Sequence, residues 1–93
     1  MPKSSTLEAA KSKAGRLVHV EWEDSSQPIA RWQWIDEYEI PEVVNCLSVG
    51  FLIAETPEAI ALAPNLGDLT KERCQASGII RIPKPAIRRI VGI

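Results

Sequence analysis

Ninety-three residues, 45% hydrophobic and 25% charged, describe one soluble globular domain with room for a small core. No apolar run is long enough to span a membrane, and the N-terminus lacks the apolar centre of a secretory leader, so a cytoplasmic protein is expected. The net charge of −1 hides three blocks: +3 over residues 1–16, −9 over 17–70 and +5 over 71–93. An acidic middle and a basic C-terminal segment repel themselves and attract each other, which favours head-to-tail contact between copies.

In chain order, residues 1–4 read as a disordered tail and residues 5–93 as a single domain. Ser5 and Glu8 have the spacing of a capping box, and Leu7, Ala10 and Ala14 share one face before Gly15, which predicts about two turns of helix. From Arg16 to Glu23, Val18, Val20 and Trp22 alternate with His19, Glu21 and Glu23, the pattern of a half-buried strand. Asp24 to Pro28 is a polar turn. Ile29 to Ile35 predicts a strand or extended loop with Trp32 and Trp34 on one face and Arg31 and Gln33 on the other. The acidic stretch from Asp36 to Glu42 reads as a loop whose Tyr38 and Ile40 have the means to pack.

Leu47 to Leu62 is the centre of the pattern, two apolar runs folded about Thr56, Pro57 and Glu58. Leu47, Val49, Phe51 and Ile53 alternate with Cys46, Ser48, Gly50, Leu52 and Ala54. The larger set is expected in the core and the smaller set where a neighbouring layer comes close. Ile60 and Leu62 return inward, with Ala59, Ala61 and Ala63 outward, and Pro64 stops the strand. Asn65 to Asp68 predicts a turn, and Leu69 to Ala76 reads equally as a helical turn or the start of a strand. Gly78 opens a strand over Ile79 to Ile82. Pro83 and Pro85 interrupt it, the Ile87–Ile90 spacing predicts a tight helical turn, and Val91 to Ile93 a short last strand. The fold class is mainly β: a short N-terminal helix followed by a small, strongly bent five-stranded antiparallel barrel.

Chemistry is conspicuous by what is missing. His19 is the only histidine, on the polar face of its strand, so one chain supplies neither a pair of imidazole ligands nor a histidine relay. No glycine-rich phosphate or dinucleotide motif occurs. Asp36 and Glu37 read as a solvated acidic loop, and Cys46 and Cys74 as buried, reduced, unpaired thiols. No catalytic residue, metal site or cofactor is expected. Trp22 belongs with the core valines. Trp32 and Trp34 are expected to cap one end of the barrel or to bury between subunits; an exposed platform for stacking on bases is the other reading.

With the elements in place, the order of helix, bent five-stranded barrel and late tight turn resembles the Sm-like (LSm) family. VGFLIAETPEAIAL is similar to the end of its first motif, and IPKPAIRRI to its second, where a strand and tight turn lead into the last strand. The chain also resembles the small Sm-like proteins of bacteriophages, whose strand pattern ends in an isoleucine-proline-lysine run like Ile82-Pro83-Lys84. The resemblance implies a homo-oligomeric ring, about five to seven subunits, in which the edges of the last two strands pair between neighbours. The family's polar nucleic-acid readers fall on Ala59 and on Pro83 and Lys84, so uridine recognition does not carry over. Two functions follow. One is a non-enzymatic, ring-forming interaction module of unknown partner. The other is a weak binder of RNA or single-stranded nucleic acid, using Arg81, Lys84, Arg88 and Arg89 with Trp32 and Trp34.

Overall fold

The computed structural model describes residues 6–25, 30–39 and 41–93. Helix α1 spans Thr6–Ala14; the expected cap Ser5 and the tail before it lie outside the described residues, as do Pro28, Ile29 and Ile40. Ala10 is buried while Leu7 is largely exposed, so the helix docks by its small face. Gly15 ends it at φ 124°, where a Cβ would come within 2.2 Å of the Leu52 carbonyl oxygen. Only glycine fits both that angle and that approach.

Among the described residues seven strands follow: β1 Leu17–Asp24, β2 Val44–Glu55, β3 Ala59–Ala63, β4 Asn65–Gly67, β5 Gln75–Ser77, β6 Ile80–Pro83 and β7 Ile87–Gly92. Five form one antiparallel sheet in the order β6-β3-β2-β1-β7. Strands β4 and β5 make a separate two-stranded hairpin, where a turn and an undecided segment were expected. The protein is thus mainly β with one short N-terminal helix. Among the described residues the sheet is open: β6 and β7 are its edges, and no ladder joins them.

The core is small. Val18 and Val20 from β1, Ile60 and Leu62 from β3 and Ile82 from β6 are buried, with Trp22, Leu52, Ile80 and Ile87 packed against them. The alternation in β1, the inward pair in β3 and the Ile80–Ile82 spacing all place these residues as expected.

Strand β2 is oriented the other way round. Leu47 is 66% exposed and Val49 50%, while Phe51 and Ile53 are only half-buried. Register explains it. Val18 pairs with Gly50 and Val20 with Ser48, so Ser48 and Gly50 share the face of the core valines, and Leu47 and Val49 fall on the opposite one. On that face β3 comes close, and the small residues take the little room it leaves. A Cβ on Gly50 would lie 3.0 Å from the carbonyl oxygen of Ala63. That close approach also leaves Ala63 fully buried, against its expected outward position. A register shift between Leu52 and Ala54 then turns β2 toward β3.

Two smaller expectations move as well. The tight turn before the last strand is a 3-10 turn at Lys84–Ala86, earlier than the Ile87–Ile90 spacing implied, and β7 therefore begins at Ile87. His19, expected on the polar face of its strand, is half-buried between Val49 and Val91, and its Nδ1 is buried without a hydrogen-bond partner.

Candidate interaction surfaces

Two surfaces hold the residues with functional potential. The first is the pair of sheet edges, β6 and β7, with the turn between them. Arg81 is exposed on β6, opposite Ala61 in the ladder. Lys84 follows in the 3-10 turn, anchored by its backbone N–H to the Glu58 carbonyl at 2.8 Å. Arg88 and Arg89 project from β7. Three of these four cations are already paired within the chain: Lys84 Nζ lies 2.8 Å from Glu55, Arg88 donates to Glu23, and Arg89 reaches Glu21 at 4.0 Å.

These contacts tune the carboxylates. The hydrogen bond from Arg88, reinforced by its charge, holds Glu23 below the usual carboxylate range, and Lys84 does the same for Glu55. Arg88 is raised in return by the hydrogen bond to Glu23. Part of the contrast between an acidic middle and a basic C-terminus is therefore satisfied inside one subunit, by strand pairing that places residues 21–23 beside 87–89. Sequence order alone did not reveal that β1 and β7 are neighbours.

Ala59 and Pro83 face each other across the β3–β6 ladder, with Lys84 adjacent. The β2–β3 turn before them is closed by Thr56, whose Oγ1 accepts from the backbone N–H groups of Glu58 and Ala59 at 3.2 and 3.1 Å. Small apolar side chains and a paired lysine offer little to hydrogen-bond a base edge there.

The second surface is the connection from β1 to β2. Every described residue from Ala30 to Asn45 is exposed; Trp32 reaches 103% of its reference accessible area, Ile35 93% and Trp34 76%. A single 3-10 turn at Ile35–Glu37 shapes it, and Tyr38 is exposed beside it. An open groove of about 450 Å³ runs along Trp34, Ile35, Tyr38 and Pro41. The two tryptophans do not cap the end of the sheet, because the loop carries them outward. Trp22, in contrast, sits against the core and donates from Nε1 to Ser48 Oγ at 3.0 Å.

Among the described residues, no cluster of three or more His, Cys, Asp or Glu side chains has the arrangement of a metal site. Cys46 is half-buried in β2, whereas Cys74, expected to be buried, is exposed in the loop before β5, and neither is in a disulfide. None of the helices among the described residues is long and apolar enough to cross a membrane. Comparison with family models, curated proteins and solved structures finds no match to the chain.

Proposed function

We propose that the protein is a non-enzymatic, ring-forming assembly module of Sm-like type. One observation carries the reading: the last two strands of the main sheet, β6 and β7, are its two open edges, with a 3-10 turn between them. Pairing of β6 in one copy with β7 in the next extends the sheet around a closed ring and leaves no edge exposed. The helix followed by five antiparallel strands agrees with this. Strand pairing and the isoleucines of these strands supply affinity, while Lys84, Arg88 and Arg89 at these edges, already paired within each subunit, contribute little to holding neighbours together.

The test follows from the ladder. Ile93 N–H donates to the Leu17 carbonyl, so along β7 the odd-numbered residues turn their backbone groups to β1 and Ile90 turns its own to the open edge. Replacing Ile90 by proline removes an outward N–H without breaking the β1–β7 ladder. The expected result is a sheet that persists by circular dichroism and a mass that falls to 10.3 kDa in solution. A wild type already monomeric, or an Ile90→Pro variant that assembles unchanged, would overturn the reading.

The alternative, a weak binder of RNA or single-stranded nucleic acid, draws on the exposed Trp32 and Trp34 and on Arg81. With Ala59, Pro83 and the Glu55-paired Lys84 at the family's reader positions, its binding to oligouridine is expected to be weak, without base preference and lost on adding salt. Tight, salt-resistant binding would favour it over the assembly reading.

A further inference from the structure

We propose that the arm formed by residues 30–43 docks on the α1 end of a second copy of this chain. The arm leaves the far end of β1 and is exposed throughout its described residues. Two tryptophans offer about 300–500 Å² between them. With Ile35, Tyr38 and Val43, also exposed, the arm approaches the ~800 Å² that each partner of an ordinary stable interface buries. An apolar surface of that size left bare on a single subunit marks an interaction site.

Charge identifies the occupant. The arm carries Arg31 against Asp36, Glu37, Glu39 and Glu42, a net of −3. No ion pair joins these four carboxylates to any described residue. The opposite end of the molecule has the reverse excess. There Lys13 Nζ donates to the Lys71 carbonyl at 2.7 Å, which brings the loop between β4 and β5 against α1. Lys11, Lys13, Arg16, Lys71 and Arg73 then outnumber Glu8, Asp68, Glu72 and the Glu55 that Arg16 faces, and Leu7 and Ile79 are exposed at the same end. Arg16 belongs to this end because its carbonyl accepts from Leu52 N–H at 2.9 Å. The arm begins at the other end of β1, roughly 26 Å of strand away, so the acidic and basic surfaces meet between copies. The same four carboxylates repel a phosphate backbone and set nucleic acid aside as the occupant.

The inference rests on self-association but not on ring closure, since docking the arm needs no strand edge. Its test is acrylamide quenching of tryptophan fluorescence across a dilution series, with Trp22 as a constant, half-buried background. At high protein concentration two of the three tryptophans are expected to lose access to quencher, in the wild type and in Ile90→Pro alike. Lys11→Glu with Arg16→Glu is expected to abolish that protection. Glu37→Lys with Glu39→Lys, which changes only exposed arm residues, is expected to do the same. Quenching that is independent of concentration, or protection untouched by either charge reversal, would overturn the proposal. So would protection that arises only when single-stranded DNA is added. A wild-type oligomer whose quenching never changes sinks the arm alone; a wild type that stays at 10.3 kDa at every concentration sinks the ring reading as well.

Discussion

At the scale of single residues, the side of the sheet a residue faces matters more than its size. Ile82 is fully buried between β3 and the core valines, so Ile82→Ala is expected to cost about 2–5 kcal/mol in chemical denaturation. Leu47 is as large but points outward, and Leu47→Ala is expected to stay within about 0.5 kcal/mol of the wild type. Gly50→Ala adds one methyl 3.0 Å from a backbone oxygen and is expected to cost roughly 1–3 kcal/mol, more than the leucine truncation. Periodicity showed that β2 has two different faces, but not which was inner. That depended on register with β1 and on the tight approach of β3, neither of which is local. Glu23 and Glu55 add a pH dependence. Both are held below the ordinary carboxylate range, so their pairing stabilises the fold above that range and is lost as pH falls through their lowered values. The gap in denaturation midpoint between the wild type and Glu23→Gln with Glu55→Gln should therefore be present at neutral pH and close in acid. A gap unchanged in acid would show that the pairs contribute nothing.

At the scale of elements, strands with strict alternation were legible and short polar ones were not. The β1 segment and the Ile80–Ile82 pattern announce themselves because one face is buried and the other wet. The β4–β5 hairpin is three residues on each side, half-exposed, and contains no apolar alternation to reveal it. The main sheet pairs without it. β3 pairs directly with β6, and Gly78 lies against Pro64, so the hairpin leaves and rejoins the sheet at one place. Replacing residues 65–77 by a two-residue Asn-Gly turn should leave β3 and β6 paired as a simple hairpin. The shortened chain is expected to keep its sheet signal in circular dichroism and melt cooperatively. Loss of cooperative melting would show that the hairpin supports the sheet.

At the scale of the whole molecule, the subunit is long rather than compact. Its radius of gyration is 17.9 Å, against the ~12 Å of a compact domain of this length, and its extents are 68 × 25 × 24 Å. Three open features account for what such a subunit lacks: two unpaired sheet edges and an arm whose aromatic residues are bare. In the assembly proposed above, a second copy covers each. The charge blocks pointed to contact between copies, yet β1–β7 pairing absorbs much of that contrast at Glu21, Glu23, Arg88 and Arg89. Reversing Arg88 and Arg89 is therefore expected to loosen β7 on β1. The central claim is that this chain assembles with itself, and native mass spectrometry of the untagged wild type tests it most directly. One closed species at an integer multiple of 10.3 kDa is expected, with about five to seven copies if the ring follows the Sm-like pattern. A single species at 10.3 kDa at every protein concentration would contradict it.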